Sequence, residues 1–172
     1  MASNKTKVRN ELFGRVEYNP KADTFNAYSH LSEKETLESE LSAPLTLHWL
    51  VTMKCNARCP YCYELPLLLR PTSKEETIND EQAAKFVSDY AQAGGFRIYL
   101  TGGEPTLSNL TPKILALADN LGIKCVINTN GIKMPEATYE AIKKSDARLS
   151  ISLDSFERTL MIAYASKNLM TR

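Results

Sequence analysis

The chain has no long apolar run, almost no net charge and few cysteines, and each shortage excludes something. Its apolar stretches last only a few residues, far short of the roughly 20 that a bilayer-spanning helix needs. The opening MASNKTKVRNELFGRVEYNP contains no apolar core of the kind a secretion signal carries, so a cytoplasmic chain is expected. With 21 basic and 20 acidic residues in 172, the formal charge is +1. That balance argues against a nucleic-acid partner or an anionic membrane surface. Histidine is scarce, at two, and cysteine numbers four. A secreted disulfide framework spreads its cysteines along the chain. Here Cys55, Cys59 and Cys62 crowd together, which points to a reducing compartment and to metal or redox use.

Length fits one domain, yet residues 1–44 differ from 45–172. Gly14–Tyr18 and Thr24–Tyr28 are short alternating runs about a turn-rich Asn19–Asp23, and read as a β-hairpin extension. Ser32–Leu41 reads as a short polar helix, and Ser42-Ala43-Pro44 as a hinge. After it, strands and helices alternate. Leu45–Thr52, Arg97–Thr101, Lys124–Asn128 and Arg148–Leu153 read as strands. Asn79 with Gln82 forms a capping box, followed by Ala83, Phe86, Val87, Tyr90 and Ala91 at helical spacing. Thr111-Pro112 opens a second helix and Pro135–Lys144 forms a third. Residues 156–165 could supply one more. No repeat or low-complexity tract is evident. This alternation predicts a parallel α/β sheet, with a curved barrel and an open doubly wound sheet both allowed.

The unusual residues fall just past the strand ends. The first strand leads to Cys55, Cys59 and Cys62, the second to Gly102-Gly103-Glu104-Pro105, the third to Thr129-Asn130-Gly131, and the fourth to Ser152-Leu153-Asp154-Ser155. In parallel α/β folds these ends share one face, where sites are built. Each cluster has a plainer reading. Gly102-Gly103 can serve a tight turn or let backbone approach a ligand, with Glu104 accepting from an ammonium group. Asn130-Gly131 is a common turn pair. Asp154 with Glu157 resembles a helix cap and its box partner. All the plain readings would have to hold together, behind a cysteine triplet.

The triplet C-x-x-x-C-x-x-C offers three thiolates to one inorganic centre and leaves a corner open. A closed zinc site needs a fourth ligand, which would have to be Cys125, His48 or His30. Cys125, in an apolar run, reads as a core residue. A thiol–disulfide oxidoreductase is the other alternative. Cys59-Pro60-Tyr61-Cys62 matches a glutaredoxin-like dithiol, but that use leaves Cys55 idle.

The cysteine spacing followed by Gly102-Gly103-Glu104-Pro105, then Asn-Thr-Asn-Gly at 128–131 and Ile-Ser-Leu-Asp at 151–154, resembles the radical S-adenosylmethionine (radical SAM) superfamily. The resemblance runs from about Leu45 to Asp154. It implies a partial TIM-like (β/α) barrel, truncated here to about four βα units, with the N-terminal hairpin as an extension. It implies that Cys55, Cys59 and Cys62 hold a 4Fe–4S cluster whose open iron takes S-adenosylmethionine. Tyr61, Gly102, Gly103, Glu104, Pro105, Asn130, Ser152 and Asp154 form the implied nucleotide-binding set. Reductive cleavage would yield a 5′-deoxyadenosyl radical that abstracts hydrogen from a substrate. The electron donor would be a flavodoxin or ferredoxin. The hairpin resembles those of peptide-modifying members, so a peptide is the expected substrate class. The last strand would form an open edge fit for self-association. An inactive fragment of such an enzyme shares every one of these residues.

Overall fold

The computed structural model describes residues 5–63 and 78–153; Asp154 and the helix expected over 156–165 lie outside them. Three antiparallel strands open the chain, β1 (Lys7–Glu11), β2 (Gly14–Asn19) and β3 (Thr24–Ser29), in the order β1-β2-β3. The expected hairpin is therefore three-stranded. The charged sequence KVRNE hides β1, because its long basic side chains cross to backbone carbonyls elsewhere. Lys7 donates to Gly122, and Arg9 to Gly94 at 2.9 Å and Ala43 at 2.7 Å. Helix α1 (Glu33–Glu38) is shorter than expected. It starts at a Ser32 capping box with Glu35.

The second sheet is parallel: β4 (Thr46–Thr52), β5 (Arg97–Gly102), β6 (Lys124–Thr129) and β7 (Arg148–Ile151). Helices α2 (Asp80–Gln92), α3 (Thr111–Asn120) and α4 (Glu136–Lys144) connect them, with a 3-10 turn at Pro105–Leu107. Asn79 and Gln82 cap α2 reciprocally, at 2.8 and 2.9 Å. Strand order follows chain order, β4-β5-β6-β7. A doubly wound sheet reverses its order at a switch point; this one does not, so the barrel-type alternative holds.

The two sheet faces differ. On one, Val51, Ile98, Leu100, Cys125 and Ile127 join Val87, Tyr90, Ile114, Leu115 and Ala118 of α2 and α3 in one core. Burying each such aliphatic side chain contributes about 2 kcal/mol. On the other, the alternation presents His48, Tyr99, Thr101, Asn128 and Ser150, with Leu50 and Val126 among them. A parallel sheet covered on both faces would carry apolar residues on both.

The N-terminal sheet closes the end where the parallel strands begin. Phe13, Val16 and Tyr18 pack with Phe96, flanked by Phe25 and Leu45. Asp23, in the turn before β3 with φ 57°, takes the Tyr18 hydroxyl at 2.8 Å, Arg97 at 2.6 Å and Arg148 at 3.2 Å. The Arg97 guanidinium stands over the Phe25 and Tyr99 rings. Arg148 also donates to the Pro20 and Lys21 carbonyls at 3.1 and 2.7 Å. Burial alone would raise the Asp23 carboxyl. Hydrogen bonds from Tyr18 and Arg97, with the charges of Arg97 and Arg148, outweigh it and hold the group below the usual carboxylate range.

A depressed folded pKa gives stability that is present above the ordinary carboxylate range and lost as pH falls through the folded value. Asp23→Asn, which tolerates the same left-handed turn, is expected to cost about 2 kcal/mol near neutral pH. The gap from wild type should narrow as pH falls from the ordinary carboxylate range through the lower folded value. Urea unfolding across that range checks this; a gap that stays constant into acid would refute the ionic role.

Candidate functional site

The site grows from the end of β4, where Thr52, Met53 and Lys54 lead into Cys55. This segment hangs on the turn after β5. Gly103 donates its N–H to the Thr52 carbonyl at 2.8 Å, and Glu104 to the Lys54 carbonyl at 2.7 Å. The contact is too close for side chains. A Cβ at Gly102, where φ is +111°, would lie 2.2 Å from the Thr52 oxygen, and one at Gly103 would lie 2.3 Å from the Lys54 oxygen. The sequence offers the glycines to a turn or to a ligand. The geometry gives them to the backbone that carries the cysteines.

Glu104 comes next and is 1% exposed. Its Oε1 accepts from the Thr106 N–H at 3.1 Å, the Thr106 hydroxyl at 2.6 Å and the Thr129 hydroxyl at 2.7 Å. Its Oε2 accepts the Asn130 N–H at 2.8 Å. The carboxylate is thus satisfied by the ends of β5 and β6. Pro105 is also buried, and its carbonyl takes the Thr111 hydroxyl at 2.6 Å. Thr106 was not singled out in the sequence, and Thr129 stood only in the Thr129-Asn130-Gly131 cluster, with no role as a donor. The signal was available: Thr106 lies beside the Gly-Gly-Glu-Pro motif, and a buried carboxylate demands donors.

Asn130 links this knot to the cysteine loop. Its Oδ1 accepts the Ile132 N–H at 3.0 Å, while Nδ2 points to Asn56 Oδ1 at 2.9 Å and Cys55 Sγ at 3.9 Å. Cys55 Sγ also accepts the Ala57 N–H at 3.4 Å. Arg58 closes the loop on the Cys55 and Ala57 carbonyls, at 3.1 and 2.8 Å. Cys59 and Cys62 bracket one turn, closed by Cys62 N–H to the Cys59 carbonyl at 3.1 Å. Tyr61, inside that turn, is 57% exposed. Ser152 is exposed, and its N–H reaches the Thr129 carbonyl at 2.9 Å. The geometry therefore gathers Cys55, Gly102, Gly103, Glu104 and Asn130 directly, with Ser152 attached through Thr129.

Cys55, Cys59 and Cys62 are free thiols, each partly buried. Burial pushes the Cys55 thiol up; the Ala57 N–H opposes this, and negative charge on Glu104, Cys59 and Cys62 adds to it. Three sulfurs and a carboxylate thus feel one another. Three thiolates beside a carboxylate would be favoured by a bound cationic centre, and an iron–sulfur core is one such centre. Among the described residues, no three His, Cys, Asp or Glu side chains converge as they would around a single ion, which disfavours zinc. A cube asks for one thiolate per iron instead. The proposed fourth ligands are elsewhere. Cys125 is 4% exposed in the helix-side core, the His48 ring stacks on Tyr99 at 4.6 Å, and His30 follows β3 in the N-terminal sheet.

A family model described as the Radical SAM superfamily matches residues 49–168. Relatives include the Fe-coproporphyrin III synthase of Methanosarcina barkeri, 29% identical over 64% of this chain and 27% of that protein. Another is the GTP 3′,8-cyclase of Tolumonas auensis, 32% identical over 62% of this chain and 32% of that one. Streptococcus suis SuiB, solved with its precursor peptide SuiA, superposes with a TM-score of 0.75 at 18% identity, over 95% of this chain and 50% of SuiB. SuiB has also been solved with S-adenosylmethionine, at a TM-score of 0.75. The chain spans about a third of the curated relatives just named and half of SuiB.

Thiol alkylation tests this layout. Burial above all, with the nearby Asp119 charge, pushes Cys125 up to about 12, against the pull of Lys124. In the folded apo chain at about pH 8, iodoacetamide should modify Cys55, Cys59 and Cys62 while sparing Cys125 until denaturant is added. Mass spectrometry reads each site; early labelling of Cys125 would contradict its core position. Gly103→Ala should speed Cys55 labelling and cost about 2 kcal/mol or more of stability, because its Cβ forces the turn off Lys54. An unchanged labelling rate would mean that the turn does not hold the loop.

Proposed function

The chain belongs to the radical SAM superfamily, whose cofactors are a 4Fe–4S cluster and S-adenosylmethionine, and we propose that Cys55, Cys59 and Cys62 hold that cluster. The observation that carries this is one short loop that bears three free, partly buried thiols and is clamped at its start by the Gly-Gly-Glu turn, with Cys125 locked in the core. When bound, the reduced cluster and the sulfonium nucleotide supply an electron and a 5′-deoxyadenosyl radical for hydrogen abstraction.

The chain's own groups do the rest. Gly102, Gly103, Glu104 and Pro105 present the turn that faces the methionyl amino group, and the buried Glu104 carboxylate fixes its shape. Tyr61, on the cysteine loop, covers the adenine. Ser152, and Asp154 beyond it, serve the ribose or carboxylate end. Asn130 sits between the Glu104 knot and the cysteines, at the same rim. Residues 1–44 act as the extension that closes the opposite end, and 45–172 as the portion of the core that carries the site. Electrons come from a flavodoxin or ferredoxin in the cytoplasm, where thiols stay reduced.

The substrate we infer is a peptide. SuiB, with the same fold, was solved with a precursor peptide. The uncovered sheet face suits one. His48, Tyr99, Thr101, Asn128 and Ser150 are uncharged polar groups, and none makes a side-chain hydrogen bond among the described residues. Peptide amides supply both donors and acceptors for such groups. The edge of β7, unpaired among the described residues and beside the exposed Leu149 and Ile151, is where a further strand or a second copy would add.

Anaerobic reconstitution with iron and sulfide should give a brown protein with about four irons per chain. Cys55→Ala should remove the colour. Dithionite and S-adenosylmethionine should then yield 5′-deoxyadenosine from the loaded wild type. Colour retained in the variant would remove Cys55 from the ligand set, and a loaded protein that forms no 5′-deoxyadenosine would support the inactive fragment.

A further inference from the structure

Asn130 donates both to the Glu104 carboxylate and to the Cys55 sulfur. Its backbone N–H goes to the Glu104 carboxylate at 2.8 Å and its side-chain amide is directed at Cys55 Sγ at 3.9 Å. The orientation of that amide is decided by its other contacts. Oδ1 is taken by the Ile132 N–H at 3.0 Å, so the –NH2 end must face the cysteine loop. Of its two N–H groups, one meets Asn56 Oδ1 at 2.9 Å and the other is left for the sulfur. Gly131, at φ +68°, gives the turn that keeps this geometry, with its N–H on the Thr129 hydroxyl at 3.1 Å. Thr129 in turn donates to Glu104 at 2.7 Å. The backbone N–H and both polar atoms of the Asn130 side chain therefore have partners, and the Cys55 sulfur is one of them.

We propose that Asn130 is a positioning residue for the cluster ligand Cys55 and raises the cluster's reduction potential through an N–H···S hydrogen bond. This rests on the cluster reading above. The physical effect has a definite sign. Reduction adds negative charge to the cluster and its sulfurs, and a donor aimed at a ligating sulfur stabilises the more negative state. The nucleotide-binding role expected for Asn130 from the sequence leaves its amide free for the cofactor; the observed amide is committed to Asn56 and Cys55.

The test is a redox titration of the reconstituted chain, followed by electron paramagnetic resonance of the reduced cluster, with iron content measured in parallel. Asn130→Ala removes the donor. At a poise where wild type is half reduced, its reduced-to-oxidised ratio is expected to fall about tenfold, equal to about 59 mV for a one-electron couple. Asn130→Asp keeps the Oδ1 contact with Ile132 and the backbone contact with Glu104 but replaces the donor by a charged oxygen, and should fall further. An Ala variant with full iron and the wild-type potential would overturn the proposal, even if its melting temperature dropped, since only a structural role would remain. Should the Ala variant fail to load, the Asp variant decides alone. Failure of both to load iron would mean that Asn130 assembles the loop rather than tunes it, and the proposal would fall. Wild type that takes up no iron would instead sink the cluster reading itself, and this proposal with it.

Discussion

The buried carboxylate of Glu104 is the constraint on which the rim depends. It is almost inaccessible, and burying it requires donors on both oxygens. Those donors come from the turn after β5 and from the end of β6. Meeting that demand fixes where the two strands end relative to each other. The same residue uses its backbone N–H to hold Lys54, and with it the approach to Cys55. One ionised group thus sets both the shape of the Gly-Gly-Glu turn and the position of the cysteine loop. Truncating its side chain would strand the Thr129 hydroxyl and the Asn130 and Thr106 N–H groups without that acceptor, while the Thr106 hydroxyl keeps the Lys133 carbonyl at 3.1 Å, a penalty of several kcal/mol where water cannot substitute.

The two ends of the parallel sheet are built on different physics. At the strand starts, Asp23, Arg97, Arg148 and the ring cluster of Tyr18, Phe25 and Phe96 seal the structure with paired charge and aromatic packing. At the strand ends stand three free thiols beside the buried, fully hydrogen-bonded Glu104. A closed ionic network suits a structural end. Thiols that can become thiolate ligands suit an end that receives a metal centre. The two faces of the sheet also differ, with an apolar face under the helices and, among the described residues, a more polar one opposite.

Membership of the radical SAM superfamily accounts for the order of the motifs, but the residues show how each is put to use here. Gly102 and Gly103 permit backbone-to-backbone contact with Thr52 and Lys54. Asn130 turns its amide to a sulfur. Thr106, which no motif announces, and Thr129, inside the Asn-Thr-Asn-Gly motif, complete the carboxylate's shell. The chain covers four parallel strands and about half of the SuiB fold, and the rim of those strands already carries the cysteines, the Gly-Gly-Glu turn and Asn130.

Much of this was legible in the sequence because it is local. The capping box at Asn79 and Gln82, the helical spacing in α2, the cysteine spacing and the strand–helix alternation each depend on neighbours a few residues apart. The third N-terminal strand was not legible, because the partners of Lys7 and Arg9 lie at Gly122, Gly94 and Ala43. Helix α1 stopped short of Leu41 for a reason the sequence pattern does not carry. By itself the sequence determined that the chain is a parallel α/β fold with a cysteine triplet and polar motifs at its strand ends. Only the tertiary structure decided that the sheet winds in one direction, that Glu104 is buried and spent on the chain's own donors, and that Asn130 faces Cys55. Those facts depend on which atoms meet across dozens of residues, and hydrogen-bond and packing partners at that range leave no periodic trace in the chain.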